Sequence, residues 1–213
     1  MNQTREWFQA NRGAYETLWL SPMRSLLSEL QAPLARLYDE PLRPPKLFRL
    51  NRDVRFAKDK TPYKTTISAM VGLGTASGPF DGPIALYWQL GLEDSAGAGS
   101  HGLLPNALAK FRRLVMAEKS GTALEKLLRA ARVKGLTTSS IEQLKRAPRG
   151  VPLDHPRLEL LKHKGLSLGV EVIPKKVRFS KLLKPWLLEQ AAHAAPVVRW
   201  LAAQKLYGLD DAR

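Results

Sequence analysis

Hydrophobic residues recur at helical spacing in the first part of the chain. Aromatic and aliphatic side chains between 4 and 20 fall on one side of a helix, which predicts an amphipathic helix there. A second helix is expected to begin at Ser21, with Ser21 as its N-cap and Pro22 in its first turn. Pro33 is expected to end or kink this helix, because proline removes a backbone hydrogen bond from a helix interior.

From Leu47 the hydrophobic period changes to two, which predicts strands. Apolar side chains alternate with polar ones over 47–56, as in a strand with one buried face, and Phe56 falls on that buried face. Segments 65–73 and 84–92 are rich in strand-forming residues and predict two more strands. Three successive strands with short connections favour an antiparallel meander.

The second half of the chain predicts mostly helices. Segment 95–102 is interpreted as a loop, and helices are predicted from Pro105 and from about Thr122, the latter ending at Gly135. Short helical turns are predicted over 140–144 and 156–164.

One further strand and a terminal helix complete the pattern. The strand is predicted over 166–173, and the helix over 180–207, interrupted by Pro196 and capped by Gly208. The whole order predicts an α+β fold, with an antiparallel sheet of four or more strands flanked by helices and with helical N- and C-termini. A length of 213 residues fits a single domain over 1–213.

Composition removes several classes of function. The chain has no cysteine, which excludes disulfides, thiolate nucleophiles and sulfur-ligated zinc. Its four histidines lack a metal-ligand spacing and no dinucleotide or phosphate-loop motif occurs, so no metal and no cofactor is predicted. The polar start MNQTREWF does not predict a secretory signal and no stretch suits a membrane span, so we expect a cytoplasmic protein without a membrane partner.

The net charge of +15 is concentrated in three blocks of the sequence. Residues 43–64 carry eight basic and two acidic side chains, 110–149 carry eleven and three, and 157–185 carry eight and two. Residues 65–109 have no lysine or arginine. If the blocks meet in space, they form a site for phosphate or another polyanion; if they do not, the charge lies on separate solvated faces.

The first block contains the residues with the clearest chemistry. Arginine binds phosphate oxygens in a bidentate manner and lysine binds them as a point charge. The candidate anion-binding residues are Arg49, Arg52, Arg55, Lys58, Lys60, Tyr63 and Lys64. Asp53 and Asp59 are candidate orienting acids.

Arg52 falls on the apolar side of the predicted strand, where an unpaired charge is costly. It therefore requires a carboxylate or another anionic partner, or it lines a cavity. The alternative to a binding site is that arginine–aspartate pairs only fix a hairpin, with Arg52 paired to Asp53, Asp59 or a distant glutamate.

The segment LFRLNRDVRFAKDKTPYKT closely resembles the central motif of a bacterial family known as domain of unknown function 2461. TREWFQANRGAY resembles its N-terminal helix, and LKRAPRGVPLDHPRLELLKHK resembles its second motif. The resemblance covers about 4–164 and leaves 180–207 as a helical extension. It implies no catalytic residues, because the activity of the family is not established. HGLLP at 101–105 departs from the family pattern of an aromatic residue before the proline.

The second motif adds His155 as a candidate. Its unperturbed pKa near 6.5 suits a general acid or base. The alternative is that Asp154 or His155 caps a short helix, with the imidazole ring bonded to a backbone carbonyl. Asp53 is the other candidate general base.

Three hypotheses follow, and the residues do not decide whether the protein is an enzyme. The first is a localised anion site for a phosphorylated small molecule or nucleic acid. The second, which rests on the net charge alone, is a non-catalytic nucleic-acid binding module. The third is a structural or interaction protein whose charged motif is a folding device.

Overall fold

The computed structural model describes residues 3–74, 82–140 and 142–207. Its strands are β1 (Lys46–Leu47), β2 (Thr66–Gly72), β3 (Ile84–Gly91), β4 (Ser95–Ser100), β5 (Thr137–Ser139) and β6 (Leu166–Val170). They form one sheet in the order β1-β2-β3-β4-β6-β5, and every neighbouring pair is antiparallel. The predicted meander and the α+β class are confirmed.

Helices flank this sheet and account for both ends of the described chain. They are α1 (Arg5–Tyr15), a π-helical segment (Glu16–Leu20), α2 (Ser21–Tyr38), α3 (Pro105–Met116), α4 (Glu118–Val133), α5 (Leu158–Lys162), α6 (Lys175–Arg178) and α7 (Leu183–Ala203). The helices predicted from Pro105 and near Thr122 are confirmed, and Gly135 follows the second of them at φ +85°. Gly208, the expected cap of the last helix, lies outside the described residues.

The first two predicted helices are one continuous helical segment. Ser21 itself has helical φ and ψ of −65° and −48°, so the prediction that it is an N-cap is wrong. Pro33 lies inside α2, which continues to Tyr38, so the prediction that it ends the helix is also wrong. Burial of Leu30 and Leu34 in the core outweighs the single hydrogen bond that the proline removes.

Two predictions in the second half are wrong because strand pairing overrides local propensity. Segment 95–102, interpreted as a loop, contains the interior strand β4, which is paired on both sides although its sequence is SAGAGS. The helical turn predicted over 140–144 is absent from its described residues. Gln143 instead forms an isolated antiparallel bridge with His163.

The predicted strand over 47–56 is mostly irregular. Only Lys46–Leu47 pairs with β2, and the remainder is held by an isolated bridge between Asn51 and Tyr63. Phe56, which was placed on the buried face, is 96% exposed. The segment leaves the sheet after its first residues, so the alternation of apolar and polar side chains does not continue in a paired strand.

The helices cover one face of the sheet. Side chains of β2, β3, β4 and β6 share a single buried core with α2 and α7, in which Trp88, Leu30 and Leu187 are completely buried. Because side chains alternate between the two faces of a strand, the remaining strand positions lie on the opposite face. We call this opposite face the open face.

Tyr38 joins α2 to a bulge in β3, and its removal tests this packing. Its buried hydroxyl donates to the carbonyl oxygen of Ala85 at 2.8 Å, where the pairing of β3 with β4 is irregular. We expect Tyr38→Phe to lower the free energy of unfolding by about 1–2 kcal/mol in urea denaturation, because the carbonyl loses its partner. Tyr15→Phe, which removes a half-buried hydroxyl, is the control and is expected to change stability by less than about 0.5 kcal/mol. Equal effects of the two variants would contradict this role.

Candidate ligand-binding site

One row of paired residues crosses all six strands on the open face. Directly paired residues of antiparallel strands place their side chains on the same face. The row consists of Lys46, Met70, Tyr87, Gly97, Gly169 and Thr137. Because its positions on β4 and β6 are glycines, the row has large side chains on β1 to β3 and a depression beyond them.

The two glycines are required by the close pairing of β4 and β6. A Cβ atom on Gly97 would lie 2.8 Å from the carbonyl oxygen of Leu168, and one on Gly169 would lie 2.5 Å from that of Ala96. Both distances are shorter than a carbon atom tolerates against backbone oxygen. The backbone therefore forms the floor of the depression, which we call the trough.

The trough has the size and lining of a small-molecule site. Its volume is about 590 Å³, within the range of roughly 300–1,000 Å³ that is typical of ligand pockets. Hydroxyl groups dominate its polar lining, and they belong to Ser68, Ser95, Thr137, Ser139 and Ser167. Glu171 is the carboxylate in the lining, and His101 contributes an imidazole ring whose pKa is lowered by burial.

Two lysines flank one aromatic ring at a side of the trough. The Nζ atoms of Lys46 and Lys64 lie 5.1 and 5.7 Å from the centre of the Phe48 ring. This distance is typical of a cation–π contact. We call these three residues the lysine wall. Within the described residues, neither ammonium group forms an ion pair with a carboxylate.

Electrostatics at the wall disfavour the positive charge of Lys64. Burial and the nearby charge of Arg49 lower the pKa of the Lys64 ammonium group. The Phe48 ring contacts Tyr87 edge-to-face at 6.2 Å between ring centres. Burial raises the pKa of Tyr87, whose hydroxyl donates to Oε1 of Gln89 at 2.7 Å. An anion placed here would meet two ammonium groups beside a neutral phenol.

Among the seven predicted anion-binding residues, only Lys64 lines the trough. Arg52 has the carboxylate partner that its position required, because its Nη1 donates to Asp59 and to the hydroxyl of Thr61. The backbone N–H of Thr61, the guanidinium of Arg52 and the hydroxyl of Thr61 all donate to the Asp59 carboxylate and lower its pKa to about 2. Arg52 and Asp59 thus hold each other within the loop.

The remaining loop residues are paired locally or exposed. Arg55 binds Asp53 in a bidentate manner, with distances of 3.0 Å from Nε and 2.7 Å from Nη2. Lys60 donates to the carbonyl oxygens of Val54 and Arg55, and Lys58 is exposed. The bonds of Lys60 connect the two sides of the loop, whereas the pair of Arg55 and Asp53 is local to one side.

Tyr63 and Arg49 lie between the loop and the first helix. Tyr63 is buried, and its ring packs against Phe8 with 4.5 Å between ring centres. Arg49 is exposed beside a shallow depression that also contains Arg24 and Glu16. Arg49 approaches the lysine wall closely enough to affect the pKa of Lys64, but it does not line the trough.

His155 does not line the trough either. Its Nδ1 accepts a hydrogen bond from the backbone N–H of Arg157 at 3.0 Å. The ring thus bonds within the turn that precedes α5, whose N-cap is Arg157, and it accepts from an N–H group where the sequence suggested a bond to a carbonyl. The structure does not bring His155 together with Asp53.

Arg157, which sequence reasoning missed, is the central residue of the second motif. Its side chain is 5% exposed, and it donates to Glu125 at 2.8 Å and to the hydroxyl of Thr122 at 2.7 Å. Gly121 leaves room for it, since a Cβ atom there would lie 2.9 Å from the guanidinium carbon. The motif therefore fastens α5 to α4.

The trough residues Lys46, Ser68, Tyr87 and His101 were also missed. Of these, only Ser68 has a signal in the sequence, which is the alternation of small polar residues with apolar ones in β2, β4 and β6. That pattern marks an open face without bulky side chains, but only the strand order shows that its positions form one surface.

The fold and the trough define an α+β protein with a small-molecule-sized site on the open face of an antiparallel sheet. A family model described as "Conserved hypothetical protein (DUF2461)" matches residues 1–200. The chain belongs to this family, which confirms the resemblance, and the match extends beyond Lys164. No curated protein matches the chain in sequence. Among the described helices, none combines the length and apolarity needed to cross a membrane.

Replacement of Arg157 tests the structural role of the second motif. We expect Arg157→Met to lower the free energy of unfolding by about 2–4 kcal/mol, because several hydrogen bonds to charged and neutral acceptors are lost. Urea denaturation measures this loss. Arg149→Met, which removes an exposed arginine from the same motif, is expected to change stability by less than about 0.5 kcal/mol. If Arg157→Met were as stable as that control, the role would be contradicted.

Proposed function

We propose that the protein binds a small anionic molecule in the trough, with a phosphate group as the preferred anion at the lysine wall. The observation that carries this proposal is the pair of ammonium groups of Lys46 and Lys64 on one ring, without a carboxylate partner in the described residues. Both border a cavity of about 590 Å³. A site of this size suits a metabolite-sized ligand.

The surroundings of Lys64 support the same proposal. Lys64 is partly buried, and Arg49 adds a further positive charge nearby. Burial and this neighbouring charge both disfavour the charged form of Lys64 and lower its pKa. A bound phosphate would reverse this effect, because the Lys64 ammonium group would then face a negative charge at a partly desolvated position.

The hydroxyl groups of the trough supply the neutral part of such a site. Serine and threonine hydroxyls donate hydrogen bonds to phosphate oxygens or to the hydroxyl groups of a polar ligand. Glu171 would repel an anion, so the phosphate is expected at the lysine wall and a neutral or cationic part of the ligand beside Glu171.

We propose that the charged loop between 52 and 60 is a folding device. Arg52, Arg55 and Lys60 already donate to Asp59, Asp53 and backbone carbonyls, so much of their hydrogen-bonding capacity is used within the loop. The loop connects the residues of the lysine wall, since Phe48 precedes it and Lys64 follows it. The hydrogen bonds within the loop therefore favour fixed positions for Phe48 and Lys64.

A small ligand is favoured over a nucleic acid by the position of the charges. The basic block 110–149 lies mainly on α3 and α4, and among its described residues only Thr137 and Ser139 line the trough. Nucleic-acid binding relies on basic residues that follow a backbone over several phosphates. Lys46 and Lys64, which have no carboxylate partner among the described residues, instead both lie near the ring of Phe48.

Substitution of the wall lysines tests the site. We expect Lys64→Gln and Lys46→Gln each to weaken inorganic phosphate binding about 10-fold or more in isothermal titration calorimetry, because each removes a charge-assisted hydrogen bond. Lys58→Gln, which removes an exposed loop lysine, is the control and is expected to leave the affinity unchanged. Equal weakening by all three variants would indicate unspecific attraction to a basic protein and would contradict the proposal.

The lowered pKa of Lys64 predicts a pH dependence. The protonated ammonium binds the anion, so affinity falls as pH rises through a pKa that lies below the ordinary lysine value. Sulfate titrations between about pH 8 and about pH 11 measure this fall without a change in the charge of the probe. Lys64→Arg is expected to retain affinity to higher pH, because arginine stays protonated. An identical pH profile for both proteins would argue against Lys64 as the titrating group.

A further inference from the structure

We infer that the ligand carries an aromatic group, which binds in an apolar crevice between α1 and the segment 63–67. This inference rests on the proposed function, because it places the anionic group of the same ligand at Lys64. Lys64 lines both the crevice and the trough. A single ligand can therefore contact the ammonium group and the crevice together.

The first observation is that α1 is amphipathic but poorly covered. Each residue of α1 is described, and none is buried. Trp7 on α1 and Leu18 in the following π-helical segment are 44% and 68% exposed, and both line the crevice. Such an apolar side on a surface helix normally packs against something.

The crevice itself has the volume and lining for an aromatic ring. Its volume is about 250 Å³, whereas an apolar cavity of about 150 Å³ is sufficient to bind benzene. Its aromatic lining consists of Trp7, Phe8, Tyr15, Trp19 and Tyr63. One or two fused rings would fit, and aromatic side chains favour edge-to-face or stacked contacts with them.

Existing contacts hold this lining in place before a ligand binds. Phe8 packs between Tyr63 and Tyr15, with ring centres at 4.5 and 5.5 Å. Gln3 donates to the carbonyl oxygen of Tyr63 at 2.8 Å and so ties the start of the helix to the same segment. A crevice lining that is ordered in this way loses little conformational entropy when an aromatic ring enters.

The charge beside the crevice determines which aromatic molecules fit. Residues 63–67 contribute Lys64 as their cation, and no carboxylate belongs to the described lining of the crevice. An aromatic phosphate satisfies both features, since its ring enters the crevice and its phosphate remains at the lysine wall. A neutral aromatic molecule would leave the lysines unpaired.

Calorimetric titration of three probes tests the inference: inorganic phosphate, phenyl phosphate and cyclohexyl phosphate. We expect phenyl phosphate to bind at least about 10-fold more tightly than inorganic phosphate and more tightly than the cyclohexyl compound. Trp7→Ala should remove this preference and leave the affinity for inorganic phosphate unchanged. Phe56→Ala, which truncates an exposed aromatic side chain outside the crevice, should preserve the preference.

The outcomes separate this inference from the proposed function. If all three probes bind equally and depend on Lys64, the crevice inference is wrong and the proposed function stands. If none of them binds, both are wrong. A second copy of the chain is the other possible occupant of the crevice, and sedimentation analysis tests for it. The inference would be overturned if the wild-type chain self-associated, Trp7→Ala abolished that association and phenyl phosphate were not preferred. Quenching of tryptophan fluorescence by phenyl phosphate, absent in Trp7→Ala, would support it.

Discussion

The close approach of β4 and β6 at Gly97 and Gly169 is the constraint on which the site depends. Neither position has room for a Cβ atom, because backbone oxygens of the neighbouring strand occupy that space. The row that crosses the sheet consequently has no side chains between Tyr87 and Thr137, and a trough results. Strand pairing, rather than a dedicated loop, thus creates the cavity, and hydroxyl groups of neighbouring strand positions line much of it.

The arrangement of the helices explains why this surface stays accessible. The packing of α2 and α7 buries one face of the sheet, while the open face carries small polar residues that gain little from being covered. The segment 48–64 then places positively charged side chains at the edge of the open face. It leaves the sheet after Phe48 and returns at Lys64, and the bonds of Arg52 to Asp59 and of Lys60 to Val54 close the excursion.

Local patterns in the sequence were sufficient to predict β2, β3 and the helix from Pro105, because each of these elements has its own periodic pattern of apolar residues. They failed for β4, whose serine, alanine and glycine residues are strand residues only through pairing on both sides. The charged motif was found, and the anionic partner of Arg52 was expected. Lys46 and Tyr87 were not found, because their approach to Lys64 depends on strand order and on the return of an irregular segment, which are long-range properties.

The central claim is that the anion site is the trough and not the charged loop or the basic helices. Titration of the ¹⁵N-labelled protein with inorganic phosphate, followed by amide chemical shifts, tests it most directly. We expect saturable shifts at Lys64, Ser68 and Gly97, with little change between 55 and 60. Shifts confined to that loop, or spread along α3 and α4 while the trough amides stay constant, would contradict it.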